Sequence, residues 1–313
     1  MGTYLGLILS NLKKRGEMKG FLMESSIPAN QSNNPSNIFY FDNDLSHYYN
    51  DIKLDGSETR INSNTRRLNG YAQSVYSSYH VYQRSVDKSI IFHSGKDALV
   101  FISIVKLKAM KLGVLVYAIC LMDNHIHMLV RVKDELALYI FVAGYTSLFT
   151  RIYNKRHNRR GSLFSTPFGR AFKRTDKYVR NCISYINNNP VEIRKSRNIE
   201  EYTWNLFSFR KTSHPHSEAL DISKSRKIIR FFVRALKADY KRGHYVSYEL
   251  LDKIFSKTDK RETSQIQDYI LNLYNPIDYS VLDALYGSFE KASLAINSNT
   301  GSEHEIIEDD KQR

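Results

Sequence analysis

The chain has 313 residues, with 46 Lys and Arg against 32 Asp and Glu, for a formal net charge of +14. That length allows one or two domains, and so large a basic surplus points to a polyanionic partner, nucleic acid or an anionic membrane. A membrane is set aside. No apolar run reaches the roughly 20 residues that span a bilayer, "MGTYLGLILSNLKK" puts its basic residues after its apolar segment rather than before it, and Gly6 stands where a myristoylation motif wants Ser or Thr.

In chain order, residues 1–75 come first, and 24–75 are rich in Ser, Asn and Asp, as in "ESSIPANQSNNPSN". Such composition buries little, and a disordered N-terminal segment is expected. "YHVYQRS", residues 79–85, alternates and is rich in β-formers, so it reads as a strand. "GKDALVFISIVKLKAMKLG" follows as a helix, with Leu99, Ile102, Val105, Ala109 and Leu112 near helical spacing and Gly113 at its end. "VLVYAICLM" is a short buried strand, Asp123 and Asn124 form a turn, and "HIHMLVRV" is the returning strand of a hairpin. A long helix is expected over residues 134–156, then a short strand at "GRAFKR". The next helix starts at Thr175 or Asp176 and stops near Asn188, because Pro190 disfavours helix at Asn189. The order β-α-β-β-α-β followed by a helix is the split β-α-β, ferredoxin-like arrangement: α+β with an antiparallel sheet. The expected division is a catalytic domain at 76–212, a helical C-terminal region at 213–300 and an acidic tail at 301–313. Cys120 and Cys182, the only cysteines, read as reduced thiols in a cytoplasm.

Strand side chains alternate faces, so His125, His127, Leu129 and Arg131 share one side of "HIHMLVRV". Two imidazoles at a strand start can hold one divalent cation; they can also simply be partly exposed residues beside a turn. In "YINNNPV", Tyr185 and Asn189 are one helical turn apart and point together, beside an apolar stripe of Val179, Cys182, Ile183 and Ile186. Tyr178 lies two turns before Tyr185 and competes with it.

Together "MDNHIHMLV", "RIYNKRHNRRGSLF", "YINNNPV" and "WNLFSF" resemble the HUH single-tyrosine transposases, most nearly the REP-associated tyrosine transposases, across about residues 79–210. That family reads M-P-N-H-x-H-x-L, Y/F-N-x-R-H, G-x-L-F/W, Y-I-x-x-N-P-V and W-S-S-Y in the same order. The resemblance implies a transposase that cleaves and rejoins single-stranded DNA, often beside a hairpin, through a 5′-phosphotyrosine. It makes His125 and His127 the metal pair for Mg²⁺ or Mn²⁺, Tyr185 the nucleophile and Asn189 the third polar ligand. Asp123 departs from the family's Pro, and Ser208 with Phe209 from its W-S-S-Y.

A one-sided basic run, Arg151, Lys155, Arg156, Arg159, Arg160, Arg170, Lys173, Arg174, Lys177 and Arg180, stands among aromatic residues with Asp176 as its one acid. It suits a strand with exposed phosphates and stackable bases. The expected partner is therefore single-stranded or hairpin-bearing DNA, bound by a monomer or homodimer without a membrane. Two other functions fit less of the sequence: a non-catalytic DNA-binding derivative of such a transposase, and a metal-dependent phosphodiesterase that uses water. For the C-terminal region, a helical interaction module or a helix-turn-helix both fit.

Overall fold

A computed structural model describes residues 76–299; the expectations for the N-terminal segment and the acidic tail lie outside the described residues. Four strands, β1 Ser77–Arg84, β2 Leu115–Leu121, β3 His125–Val132 and β4 Gly169–Lys173, form one sheet in the order β2-β3-β1-β4, every pair antiparallel. Helix α1 Gly95–Leu112 joins β1 to β2, α2 Glu135–Arg156 joins β3 to β4, and α3 Asp176–Glu192 follows β4. Five helices complete the described chain: α4 Lys227–Lys241, α5 Tyr248–Phe255, α6 Lys260–Leu273, α7 Ser280–Tyr286 and α8 Phe289–Asn297. The strand order is that of the split β-α-β fold.

The sheet is buried on both faces. Val81, Ile119, Ile126, Met128 and Val130 pack against α1 and α2, with α4, α5 and α6 continuing that core. Ala118, Cys120 and Leu129 face the other way, onto Val179, Cys182, Ile183 and Ile186 of α3, and α7 and α8 extend this second core. The C-terminal helices therefore clasp the sheet from both sides. The apolar stripe of α1, Leu99, Ile102, Val105, Ala109 and Leu112, is buried throughout. Gly113 ends that helix at φ 61°, a conformation open to glycine at little cost.

Two expectations are corrected. Helix α3 does not stop near Asn188 but runs to Glu192 with Pro190 inside it. Pro190 sits in the last turn, where a missing N–H costs a single bond, and its own carbonyl accepts from Lys195 N at 2.7 Å. Helix α2, at 22 residues, is long and apolar enough to cross a bilayer by length and composition, contrary to the reading of short apolar runs. It buries Leu138, Phe141, Val142, Tyr145 and Phe149 in the core. The first helix after residue 217 begins only at Lys227. Helix α8, beyond the Gly287 turn, packs on the α3 side through Ala292 and Ile296, and Lys291 is the one cation it carries.

One buried carboxylate ties three elements together. Asp97 in the first turn of α1 is fully buried. It accepts from Ser94 N at 2.9 Å, from Tyr248 Oη of α5 at 2.7 Å and from His157 Nε2, just past α2, at 2.9 Å. Asp97→Ala leaves those donors without an acceptor inside the fold. It should lower unfolding free energy by about 3 kcal/mol, read as a shift in the urea midpoint, whereas Ser94→Ala should cost about 1 kcal/mol.

Candidate active site

The site is built by cross-strand register. On β1, His80, Tyr82 and Arg84 alternate onto one face. The antiparallel pairing sets Tyr82 opposite His127 and Arg84 opposite His125, with His80 opposite Leu129. Residues opposite one another in a ladder share a face, so the β3 pair gains a third imidazole. His80 Nε2 lies 3.0 Å from His127 Nδ1, and the two rings stack at 5.2 Å. The rings of His125 and His127 are 5.1 Å apart and nearly perpendicular.

Helix α3 lays its nucleophile candidate on this cluster. With Val179, Cys182, Ile183 and Ile186 fixed in the core, Tyr185 is turned toward the sheet edge-on to His80 at 5.7 Å and to His127 at 5.3 Å. Tyr178 makes no ring contact with these histidines; its described bond is from its backbone N–H to Thr175 Oγ1 at 3.4 Å. Asn189 Nδ2 donates to Tyr185 O at 2.8 Å, so its amide lies back along the helix and its Oδ1 is the remaining acceptor. Between them Asn188, fully buried, donates to Ile296 O at 2.7 Å and fastens α3 to α8.

The two histidines of "HIHMLVRV" have their Nδ1 atoms engaged by the protein. That of His125 meets Asn124 Oδ1 at 2.8 Å, and that of His127 meets His80. This is the outer-shell pattern that frees Nε2 for a cation. For His127 to offer an Nε2 lone pair, its Nδ1 must donate to His80 Nε2, which puts the proton of His80 on Nδ1. That atom is buried without a hydrogen-bond partner in the fold. Among the described residues no group of three or more His, Cys, Asp or Glu is arranged to hold a metal. The candidate donors are thus two imidazoles, and Asn189 is placed by its bond to Tyr185 O rather than by a described contact with them. Two neutral imidazoles on one face are a donor type that suits a divalent cation.

Burial keeps the imidazoles uncharged. Burial first, and then the Lys173 charge, lowers the pKa of His80 to about 3. Burial, with Arg84 added and Asp123 opposing, lowers that of His125 to about 4. His127 is held well below its usual value by burial, then by His80, His125 and Arg84. The hairpin is closed by Met122 N donating to His125 O at 2.9 Å, while Asp123 in its turn accepts from Ile91 N at 2.7 Å through its carbonyl and pairs its carboxylate with Lys195.

The basic run, continuous in sequence, is divided in space. Arg151, Lys155, Arg156 and Arg160 are exposed at or just past the end of α2. Arg159 is half-buried and donates to Asn154 Oδ1 at 3.2 Å, and Arg156 forks onto Asp252 at 2.8 and 3.2 Å. Arg170 pairs instead with Glu135 in the first turn of α2, about 30 Å along the helix axis from Arg156. Arg174 is exposed and lies over Phe172 at 5.9 Å. Lys173, expected on the surface track, is 3% exposed. Its strand alternates it onto the histidine face, opposite Ser78. The chain beyond Arg159 and Arg160 returns to the end of β1, where Ser165 N bonds Arg84 O at 2.8 Å.

Sequence reasoning missed His80, Tyr82 and Arg84. Their period of two within "YHVYQRS" was the available signal, but only the register with β3 assigns them to the site. Tyr82 is 43% exposed and lies across Gly169. A Cβ there would come within 1.9 Å of the Tyr82 ring, so only glycine permits this placement.

Comparison with known proteins gives two findings. Residues 74–189 match the family model described as Transposase IS200 like. Among solved structures, a REP-associated tyrosine transposase bound to a REP hairpin is similar at 12% identity and a TM-score of 0.35, covering 45% of this chain and 84% of that one. No curated protein matches.

Neutral histidines make acid a destabilising agent. Between pH 6.5 and about 4 the unfolded chain binds protons that folded His80 and His125 refuse, so these residues leave stability untouched above pH 6.5 and lower it progressively as pH falls. The metal-free protein should lose melting temperature steadily over that window. A His80→Phe variant should lose less.

Proposed function

Starting from an IS200-like transposase domain at residues 74–189, we propose that the protein cuts and rejoins single-stranded DNA through a phosphotyrosine formed on Tyr185. One observation carries the reading: the Tyr185 ring sits edge-on to His127 at 5.3 Å, while His125 stands 5.1 Å from that same His127. The proposed nucleophile and the proposed pair of cation ligands thus lie side by side on one face of the sheet.

Here His125 and His127 are the residues that would hold Mg²⁺ or Mn²⁺, with Asn189 as a further donor. The chemistry such a cation would supply, when bound, is polarisation of the scissile phosphate and an offset to the charge that grows on its oxygens. His80 is a positioning residue that fixes the tautomer of His127. Tyrosine ionises near pH 10 and attacks poorly unaided. In the step, Tyr185 Oη forms a bond to phosphorus as the bond to the 3′ oxygen breaks. The phenol gives up its proton and the 3′ oxygen gains one, leaving a 5′-phosphotyrosine and a free 3′-OH. A second 3′-OH reverses the exchange, so joining needs no nucleotide cofactor. Tyr82, exposed beside His127, suits stacking on a base next to the cut. Arg159, Arg160 and Arg84 suit the phosphates that lead to it.

The test is incubation with single-stranded DNA from the flanking locus and Mg²⁺ or Mn²⁺, followed by denaturing electrophoresis. A denaturation-resistant adduct is expected. Binding without adduct would instead support a non-catalytic derivative, and cleavage without adduct a water-using phosphodiesterase. His125→Ala and His127→Ala should each abolish cleavage while strand binding survives, and near-normal cutting by either contradicts the ligand assignment. Because two imidazoles without a carboxylate favour later first-row ions, Mn²⁺ should support cleavage at lower concentration than Mg²⁺. His80→Phe should raise the Mn²⁺ requirement by about 10- to 100-fold.

A further inference from the structure

The site above uses one face of the sheet, yet a second basic surface lies beyond the other face. Helix α4 buries Ile229, Phe232, Val233 and Leu236 in the core shared with α1 and α2. Its outer side carries Lys227, Arg230, Arg234, Lys237 and Lys241, all exposed. Their spacing of three, four, three and four residues keeps them within an arc of about 80° over some 21 Å of helix. Arg230 donates to Ser223 O at 3.3 Å. None of the five forms an ion pair with a described acid, although the neighbouring Arg226 pairs with Glu262 and Arg242 with Asp239. A solvated helix face ordinarily mixes both signs, and this one does not.

We infer that the outer stripe of α4 is a second nucleic-acid site, one that grips the phosphate backbone of a DNA duplex independently of sequence. Charge selects a polyanion, and two features choose among polyanions. Single-strand sites pair cations with successive aromatic platforms, but this stripe has a single aromatic beside it, Phe231, 56% exposed. Amphipathic helices that bind lipid turn their apolar face to the bilayer, whereas the apolar face of α4 is committed to the core. A straight row of cations opposite regularly spaced phosphates remains. On the transposase reading, the stripe would hold the double-stranded flank of a substrate whose single strand reaches the histidine face. The stripe itself stands whether or not that reading holds.

The experiment measures binding of a 20-base-pair duplex of arbitrary sequence by fluorescence anisotropy across a salt series, using the full chain. Arg230→Gln, Arg234→Gln and Lys237→Gln combined should weaken duplex binding by about tenfold or more. The variant should also flatten the slope of log affinity against log salt by up to about 2.7, at roughly 0.9 per lost phosphate contact. Adduct formation on a bare single strand should be unchanged. Failure of the parent protein to form any adduct would strike the proposed function and leave this arm standing. The three side chains are exposed, so circular dichroism should match the parent. An Arg230→Lys, Arg234→Lys protein, keeping the charges, should retain binding. Unchanged duplex affinity and slope in the folded triple variant would overturn the inference. So would stripe-dependent binding to phosphatidylserine vesicles without duplex binding.

Discussion

The antiparallel pairing of β1 with β3 is the constraint on which the site depends. A strand repeats every two residues, so its register alone decides which side chains meet. With Tyr82 opposite His127 and Arg84 opposite His125, three imidazoles and an exposed tyrosine gather on one face. A one-residue slip would send His80 into the α1 and α2 core and bring Val81 out. Each strand's apolar set, Val81 on β1 and Ile126, Met128 and Val130 on β3, opposes that slip by its burial on the far side. The packing that stabilises the sheet also sets the chemistry of its other face.

Helix α3 contributes the second constraint, which is its phase. Val179, Cys182, Ile183 and Ile186 anchor one stripe, and Tyr185 beside that stripe reaches the imidazoles. Asn188, bonded to Ile296 O, ties this helix to α8, so the C-terminal region holds the helix that carries the candidate nucleophile. The candidate nucleophile and the imidazole cluster are thus held by one set of packed elements, as the proposed reaction, with its need for near-attack geometry, requires.

Much of this was legible in the sequence because it depends on local periodicity. The apolar spacing of α1, the H-x-H alternation and the stripe of α3 each follow from repeats of 3.6 or two residues. What stayed hidden depends on long-range pairing or three-dimensional course. His80 lies 47 residues from His127, and nothing local marks it as that ring's partner. The basic run looked continuous because α2, the loop and β4 follow one another in sequence, yet the length of α2 separates Arg156 from Arg170. Lys173 illustrates the same limit: alternation gives it a face, and only the sheet order says that face is covered. Pro190 was over-read, since its cost depends on how many turns follow it.

Tyr185, placed on the imidazole cluster, is the residue proposed to carry the DNA. Tryptic mapping by mass spectrometry of a nuclease-trimmed adduct locates the modified residue directly. A nucleotide on the peptide containing Tyr185, with no adduct from a folded Tyr185→Phe protein, is the result the geometry predicts. A nucleotide on Tyr178, or full adduct formation by Tyr185→Phe, would contradict it.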